Sequence, residues 1–410
     1  MLPALHSVGC RWSRSKAADA PTTPATSTAT FWTHPAKNNS LHLGKQTPFF
    51  TLLSPYHTQQ LTQWPRRLSV DQSVSRNAWQ LSRSTTPRHT TAHPANSPDI
   101  DEFYLLPHIV RPGETIASTG FSRSTGGKGA NQAYAAGRAG ANVVLDAQVG
   151  ADGADVVKLI ASGGVDVSRV RVIDGEVTGR AIIQRAADGE NSIVLHPGAN
   201  FAPSNGEVDL SGYTHLLLQN EIPLDDTLAY LRAAGKAGIK TVYNPSPMPS
   251  REVLAAFPWD CLSYLIVNEG ELSDILAAFD DTPLDTKLSV KDRAIAQMHA
   301  LHGAKGFAKT VAIVTTIGPE GVLVFDVKGA HPEVAYSPAA KARKVVDTTG
   351  AGDTFAGYFV AMLMDKGDDA PIADLIPTCL QACAITVENA GALESIPARA
   401  DVEARLALKE

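Results

Sequence analysis

Residues 345–364 read VVDTTGAGDTFAGYFVAMLM, and this stretch decides the fold class. The two valines predict a short strand, and the apolar residues that follow Thr354 recur at helical spacing. Gly350, Ala351 and Gly352 therefore lie at a strand-to-helix turn. The N–H groups at the start of a helix bind anions, and glycines let a phosphate approach closely. The turn is thus a predicted anion hole for a group that gains negative charge during its transfer.

Asp353 follows in the first helical turn, beside this predicted anion hole. A carboxylate placed there can accept the proton of an attacking alcohol, which is the role of the base in kinases. The alternative is that Asp353 only caps the helix, because acidic residues are favoured at helix starts. The segment by itself favours neither interpretation.

From about residue 99 onward, apolar runs alternate with helical stretches. Runs such as LSYLIVN are too continuously apolar for half-exposed strands, so they predict a largely parallel sheet covered by helices on both faces. Two stretches of polar alternation, near residues 114–124 and 178–200, predict a small antiparallel sheet beside it. Such a sheet can serve as a lid that excludes water from a transfer reaction. An ordinary surface hairpin is the alternative.

Two further segments place polar groups at predicted helix starts. In STGGKGANQA, Lys128 and Asn131 follow a double glycine and offer donors suited to sugar hydroxyls or phosphate. Close helix–sheet packing is the alternative there. In VNEGE, Asn268 and Glu271 follow an apolar strand. Oxygen donors that act partly through water suit Mg²⁺ bound to a nucleotide, although such residues at a helix start are more often caps.

Taken in order, the segments GGKGANQA, NEGE, TTIGPEG and DTTGAGDTF resemble the ribokinase branch of the PfkB carbohydrate kinase family. The resemblance runs from about Asp99 to the end of the chain. It implies a ribokinase-like three-layer α/β/α sandwich with a mainly parallel central sheet and a small β-sheet lid. It also implies ATP-dependent phosphorylation of D-ribose at the 5-hydroxyl, which feeds nucleotide synthesis and the pentose phosphate pathway. The alternatives are a kinase for another sugar or a nucleoside, or a catalytically impaired relative.

The resemblance assigns roles to individual residues of this sequence. Asp353 would be the base, with Gly350, Ala351 and Gly352 as the anion hole. The residues that would contact the sugar are Asp99, Asp101, Gly127, Lys128, Asn131, Glu221 and Asp353. Those that would contact ATP are Asn268, Thr316, Ile317, Gly318, Pro319, Glu320, Gly321 and Gly352. An activating K⁺ would be held by Asp347, Thr349, Thr386, Asn389, Gly391 and Ser395. Glu271 would assist the Mg²⁺ of ATP through water, and the lid sheet would join two copies in a homodimer.

The segment before the lid departs from the family pattern. Relatives begin with an apolar strand that leads into GSxNxD, whereas this chain reads PANSPDID. Asp99 therefore takes the place of the motif's Asn, and Asp101 takes that of its Asp. The exchange at residue 99 removes a donor and adds a charge beside the sugar site. We expect the usual first strand to be absent, so that either the tail supplies a poor substitute or the protein is impaired.

Residues 1–98 differ in composition from the rest. They hold ten Lys and Arg against two acids, Asp19 and Asp71, and are rich in Ser, Thr and Pro. We expect a disordered basic extension followed by a kinase domain over residues 99–410. Its opening has the composition of a mitochondrial presequence. A basic tail without an address and an imperfect translation of the gene are the alternatives. The resemblance favours the cytoplasm, with the nucleus or the mitochondrion as alternative locations.

The composition also argues against several classes of partner. Residues 99–410 carry 26 basic and 40 acidic residues, which disfavours nucleic acid. No run approaches the roughly 18 apolar residues that cross a bilayer, so no membrane partner is expected. The four cysteines form no CxxC pair, and we expect reduced thiols in an intracellular compartment.

Overall fold

The structure is a computed structural model that describes residues 89–92, 97–204, 208–280, 287–328 and 332–408. The strands are β1 (His89–Ala92), β2 (Asp99–Leu106), β3 (Gly120–Gly126), β4 (Val143–Val149), β5 (Val165–Val172), β6 (Gly179–Ala186), β7 (Asn191–His196), β8 (Tyr213–Leu218), β9 (Lys240–Tyr243), β10 (Tyr264–Asn268), β11 (Ala312–Thr316), β12 (Gly321–Phe325) and β13 (Val334–Pro338). The α-helices are α1 (Lys128–Arg138), α2 (Ala154–Ser162), α3 (Leu224–Ala237), α4 (Arg251–Ala255), α5 (Glu269–Ala277), α6 (Val290–Gly303), α7 (Ala351–Lys366), α8 (Ile376–Thr386) and α9 (Arg399–Ala407). Over these ranges, no helix combines the length and apolar character needed to cross a bilayer.

Nine strands form the central sheet, in the order β13-β12-β11-β10-β9-β8-β1-β4-β5. All neighbours from β11 to β5 pair in parallel, whereas β12 and β13 are antiparallel additions at one edge. Successive side chains point to opposite faces. In β10, Tyr264 and Ile266 join one apolar cluster with α1, α7 and α8, and Leu265 and Val267 join another with α3, α5 and α6. The predicted three-layer sandwich is confirmed.

The remaining four strands form a second, small sheet in the order β3-β2-β6-β7, hereafter the lid sheet. β2 and β6 pair in parallel at its centre, and β3 and β7 flank them in antiparallel orientation. The strands predicted within 178–200 are present. The strand predicted within 114–124 begins only at Gly120. β2 was not predicted as part of this sheet, because its sequence was interpreted only as a departure from the family motif.

The expectation that the first strand is absent is corrected. Residues His89–Ala92 form β1, which lies between β8 and β4 and is parallel to both. The tail therefore supplies a substitute strand of four residues, the first of the two outcomes that the sequence allowed. The strand lies inside the predicted extension, so the boundary expected at residue 99 falls after the first strand of the domain. Residues 1–88 lie outside the described residues, and their disorder stays a prediction.

Candidate active site

The glycine turn before α7 follows irregular backbone. No strand forms at residues 341–350, which corrects the expected strand-to-helix turn. Val345 and Val346 are 63% and 47% exposed, so their β-branched side chains do not mark a buried strand here. Val346 N–H donates to the Val387 carbonyl at 2.8 Å, and this bond ties the loop to the end of α8.

Gly350 and Gly352 have different roles in this turn. Gly350 precedes α7 with a φ of 77°, and a Cβ on it would come within 3.0 Å of the backbone of Ala392. That position requires glycine for both conformation and space. A Cβ on Gly352 would meet nothing within 4 Å, so this side of the turn is open. Among the described residues, no backbone carbonyl accepts a hydrogen bond from the N–H of Gly352 or Asp353. These donors suit the predicted anion hole.

Asp353 is held by two amide side chains of α1. Its side chain is buried, with 8% of the residue exposed. Asn131 Nδ2 donates to Oδ2 at 3.0 Å, and Gln132 Nε2 donates to Oδ1 at 3.0 Å. No side chain caps the start of α7, so the alternative of Asp353 as a simple cap is not observed. A carboxylate oxygen can accept two hydrogen bonds. Each oxygen of Asp353 accepts one from an amide, so each keeps a lone pair that can take the proton of a substrate.

Gln132 is a site residue that sequence analysis missed. It is fully buried, its Nε2 also lies 3.1 Å from Asn244 Oδ1, and its Oε1 accepts from Gln219 Nε2. This amide chain fixes Gln132 and, through it, one oxygen of Asp353. The residue stands next to Asn131 in GANQA. The sequence of an alanine-rich helix does not show which way a glutamine side chain points, so the contact with Asp353 could not be predicted.

Lys128 and Glu221 meet at the start of α1. The Lys128 N–H donates to Glu221 Oε2 at 2.7 Å, and Ser97 Oγ donates to the same oxygen. Burial raises the pKa of Glu221 to about 7, although the Ser97 hydroxyl and the Lys128 charge oppose that rise. The negative charge of Asp353 is the main cause of a raised pKa at Lys128, which therefore stays protonated at neutral pH. A Cβ on Gly127 would overlap the Ser97 carbonyl, so only glycine fits there.

Asp99 and Asp101 occupy alternate positions at the start of β2, on one face of the lid sheet. Burial, followed by the Glu221 carboxylate, raises the pKa of Asp99 well above its usual range. Burial is also the main cause of the pKa of about 6 at Asp101, and the Asp353 carboxylate adds to it. The structure thus gathers three carboxyl groups predicted to bind the sugar around the predicted base.

A cleft of about 140 Å³ opens where strands β10 and β11 end and helices α1, α5 and α7 begin. Its lining includes residues assigned to the sugar, to ATP and to the Mg²⁺ of ATP, namely Lys128, Asn268, Glu271, Thr316 and Asp353. Ligands of open α/β sheets bind at the carboxyl ends of parallel strands, where helix starts also supply free N–H groups. The cleft is therefore the candidate active site.

Asn268 and Glu271 form a capping box at the start of α5. Asn268 Oδ1 accepts from the Glu271 N–H at 2.8 Å, and Glu271 Oε2 accepts from the Asn268 N–H at 2.9 Å. The capping alternative is thus observed. The box does not use Glu271 Oε1, and Glu271 is one of the residues that line the cleft. Over the described part of the chain, no three His, Cys, Asp or Glu side chains cluster as a metal site.

The segment TTIGPEG divides between the cleft and the core. Thr316 ends β11 and lines the cleft. Ile317 is 2% exposed and packs in the apolar cluster under α5 and α6, whereas Gly318–Glu320 form an exposed turn. Gly321 has a φ of 123°, and a Cβ on it would lie 2.1 Å from the Ser337 carbonyl, so its glycine is needed to pair β12 with β13. Of this set, only Thr316 lines the cleft.

Three of the residues assigned to K⁺ are directly linked. Asp347 Oδ1 accepts from Thr349 N–H at 3.0 Å and from its hydroxyl at 2.7 Å. Asp347 Oδ2 accepts from the Gly391 N–H at 3.2 Å. The carboxylate therefore joins the loop before α7 to the loop after α8.

The other three residues assigned to K⁺ make separate contacts. The Ser395 hydroxyl donates to the Ala392 carbonyl at 2.8 Å, in the loop that packs on Gly350. Thr386 Oγ1 lies 3.0 Å from Thr354 Oγ1 in α7, and Asn389 Nδ2, from the loop after α8, donates to the Ile385 carbonyl in that helix. These contacts stabilise the loops that surround Asp347.

Comparison with known proteins places this chain in a family. The sequence profile described as "pfkB family carbohydrate kinase" matches residues 100–399. The chain is 34% identical over 307 residues to the ribokinase of Haemophilus influenzae, an alignment that covers 73% of this chain and 92% of the relative. It is 33% identical to the ribokinase of Schizosaccharomyces pombe, with the same coverage of both chains.

Solved structures agree with the sequence relatives. The crystal structure of ribokinase from Cryptococcus neoformans in complex with ADP has 49% identity and a TM-score of 0.72, covering 78% of this chain and 99% of that one. The Arabidopsis thaliana ribokinase complexed with ribose and ATP has 27% identity and a TM-score of 0.64, with the same coverage. The fold is thus the ribokinase-like α/β fold, as predicted. The chain belongs to the pfkB family of carbohydrate kinases.

Proposed function

We propose that this chain is a ribokinase, which transfers the γ-phosphoryl group of ATP to the 5-hydroxyl of D-ribose. The observation that carries the proposal is the buried carboxylate of Asp353, held by two amides beside the free N–H groups at the start of α7. The ribokinases of Haemophilus influenzae and Schizosaccharomyces pombe share about a third of their residues with this chain. The Arabidopsis structure contains ribose and ATP in the same fold.

The geometry supports a direct transfer. Asp353 accepts the proton of the 5-hydroxyl while the sugar oxygen forms its bond to the γ-phosphorus. The bond from that phosphorus to the β–γ bridging oxygen breaks, and ADP leaves with the electron pair. The N–H groups of Gly352 and Asp353 stabilise the charge on the transferring group. Asn131 and Gln132 keep the base in one orientation, and this lowers the entropic part of the barrier.

The sugar pocket combines charge and hydrogen-bond donors at one end of the lid sheet. Asp101, Asn131 and Glu221 present acceptors and a donor for hydroxyl groups, and Lys128 balances their negative charge. A polyhydroxy substrate suits such a site, because hydroxyls both donate and accept. A nucleoside would need an apolar surface for its base beside the same residues. Closure of the lid sheet over the sugar would exclude water as a competing acceptor.

The Mg²⁺ that accompanies ATP fits the donors present. Glu271 lines the cleft together with Asn268 and Thr316 of the predicted nucleotide segments, and one of its oxygens is not used by the capping box. With a single carboxylate, the protein would hold the ion through water and rely on phosphate oxygens for the rest of its shell. When bound, Mg²⁺ neutralises charge on the phosphates.

An activating K⁺ is also part of the proposal. The Asp347 carboxylate already joins the two loops that flank the anion hole, and those loops add Ser395 and backbone carbonyls as hard oxygen donors. A monovalent cation there would stiffen the turn at Gly350 without contacting the sugar. Asp347 would hold it together with Thr349, Gly391 and Ser395, with Thr386 and Asn389 as the weaker members of the assigned set.

Two further proposals concern the whole protein. One face of the lid sheet exposes apolar side chains at Leu105, Ile193 and Leu195, with 42%, 53% and 60% of each residue exposed. A second copy of the chain would cover them in a homodimer. We also propose a cytoplasmic location, with the nucleus and the mitochondrion as alternatives that the segment before β1 would decide.

A substrate panel tests the proposed function. Purified full-length protein with ATP and Mg²⁺ is assayed against D-ribose, 2-deoxy-D-ribose, D-fructose and adenosine, and the product is identified by mass and by the position of its phosphate. D-ribose should have the highest kcat/KM and give the 5-phosphate. Preference for adenosine or D-fructose would replace the proposal with another kinase on the same fold. Folded protein that phosphorylates none of the panel would support the impaired alternative.

A further inference from the structure

We propose that Asn200 is a positioning residue for sugar binding, because it holds the carboxyl group of Asp99 at the end of the lid sheet that adjoins α1. Asn200 lies in the short turn Gly198–Phe201, directly after lid strand β7. Its Nδ2 donates to Asp99 Oδ1 at 2.7 Å. The bond links the exit of the lid sheet to the first residue of β2. This inference rests on the proposed ribokinase function and extends it.

The contact is enclosed. Asn200 is only 4% exposed, so its amide has no alternative partner in bulk water. Gly179, the first residue of β6, is paired with Asp99 across the sheet. A Cβ on Gly179 would lie 2.0 Å from Asp99 Oδ1 and 2.3 Å from Asn200 Nδ2. A side chain at residue 179 would collide with both groups, so glycine at this position leaves room for the hydrogen bond.

Charge explains why Asp99 needs a neutral donor. The carboxyl groups that face it are Glu221, from the loop after β8, and Asp101, two residues along β2. The cation of this region, Lys128, is directed to Asp353 and Glu221 instead. A carboxyl group that lies beside other carboxyl groups is repelled by them. It rotates away or takes up a proton unless a hydrogen-bond donor holds it in place. Asn200 provides that donor without adding charge.

The sequence gives a reason for such a residue in this chain. Asp99 stands where the family motif has asparagine, so this sugar pocket contains one carboxyl group more than the motif implies. With Oδ1 bound to Asn200, the remaining oxygen of Asp99 is left for a sugar hydroxyl. Asn200 Oδ1 has no hydrogen-bond partner among the described residues. A buried acceptor of this kind is stabilised when a ligand or water supplies a donor.

Exchange of the two side chains is the sharpest test. Asn200→Ala, Asn200→Asp, Asp99→Asn and the double variant Asp99→Asn/Asn200→Asp are prepared, with Asn191→Ala in exposed β7 as the control. KM for D-ribose, KM for ATP and kcat are measured at pH 7.5, and the thermal unfolding midpoint is recorded for each variant. The double variant keeps one amide and one carboxyl group in reversed positions.

Positioning predicts a specific pattern. Asn200→Ala should raise KM for D-ribose about 10- to 100-fold, the loss expected when a buried polar group is left without its hydrogen-bond partner, while KM for ATP stays within about twofold. Asn200→Asp should be at least as impaired, because it places a second carboxyl group against Asp99. The double variant should recover to within about threefold of the wild type. Asn191→Ala should match the wild type in every measurement.

Other patterns would contradict the inference. A fall in unfolding midpoint without a change in KM for D-ribose would show that Asn200 is only structural. If the double variant is folded but its KM for D-ribose stays raised, the hydrogen bond between residues 99 and 200 does not position the group that binds the sugar. If the wild type has no activity on D-ribose but phosphorylates another substrate, the proposed function fails. The same variants, assayed on that substrate, then decide the role of Asn200 separately.

Discussion

The four-residue strand β1 should be essential for folding, although its sequence, HTTA, contains no large apolar residue of the kind that marks a buried strand. Three variants test this. Thr91→Pro introduces a residue without an N–H into the middle of the strand. Deletion of residues 1–96 removes the strand, and deletion of residues 1–88 retains it. Thr91→Ala keeps the N–H and is the matched control for the proline.

The structure sets the size of the effect. β1 is paired with residues 143–145 of β4 and residues 215–217 of β8. These six neighbours are between 0% and 7% exposed, so water cannot replace the lost partners. Each buried backbone group left without a partner costs about 1–3 kcal/mol. Loss of β1 that left three of these backbone groups without a partner would cost about 3–9 kcal/mol. This approaches the whole stability of a typical domain, about 5–15 kcal/mol.

Urea unfolding followed by circular dichroism measures the result. The protein lacking residues 1–88 and Thr91→Ala should unfold near the wild-type midpoint. Deletion of residues 1–96 should give insoluble or unfolded protein, and Thr91→Pro should lose at least about 1–3 kcal/mol. If both disruptive variants unfold at the midpoint of their controls, β1 is not part of the sheet, and the tail does not replace the first strand.

Three other variants probe the site. Gln132→Met should lower kcat about 10- to 100-fold without changing KM for ATP, because one hydrogen bond that orients Asp353 is lost; an unchanged kcat would contradict that role. The pKa of Glu221 is about 7 in the folded protein against 4.5 ordinarily, so the free energy of unfolding falls as the pH rises toward 7 and above. Between pH 5.5 and 8 the wild type should lose about 2 kcal/mol more than Glu221→Gln in urea unfolding, and parallel pH curves would refute the raised pKa. Asp347→Ala should abolish stimulation by K⁺ while KM for D-ribose changes little; stimulation equal to that of the wild type would remove Asp347 from the cation site.

The sequence predicted the elements whose residues carry strong local signals. Continuously apolar runs predicted the buried central strands, since their side chains fill both faces of the sheet. The glycine turn and helix at residues 350–366 are as predicted, because helical periodicity and glycine act locally. The resemblance of their segments to the family assigned Asp353 and Asn131 to one site, although they are more than 200 residues apart in the chain.

The errors arose where distant contacts override local pattern. Val345 and Val346 favour a strand by propensity, yet no neighbouring strand is available to them and they stay exposed. The opposite error was made for HTTA at residues 89–92, which was not predicted as a strand. It forms one because an extended segment there can pair with both β4 and β8. Gln132 and Asn200 escaped notice because their roles depend on which side chain lies opposite, and a single sequence does not encode this in a local motif.

Turnover of D-ribose by the Asp353→Asn variant is the most direct measurement. Full-length wild type, Asp353→Asn and the control Asp365→Asn, an exposed aspartate on the same helix, are assayed with ATP and Mg²⁺ in the presence of K⁺. The wild type and the control should form ribose 5-phosphate. Asp353→Asn should lose at least about 100-fold in kcat, with KM for ATP nearly unchanged, as expected for removal of a general base. Wild-type turnover by a folded Asp353→Asn protein would contradict the assignment of Asp353 as the base.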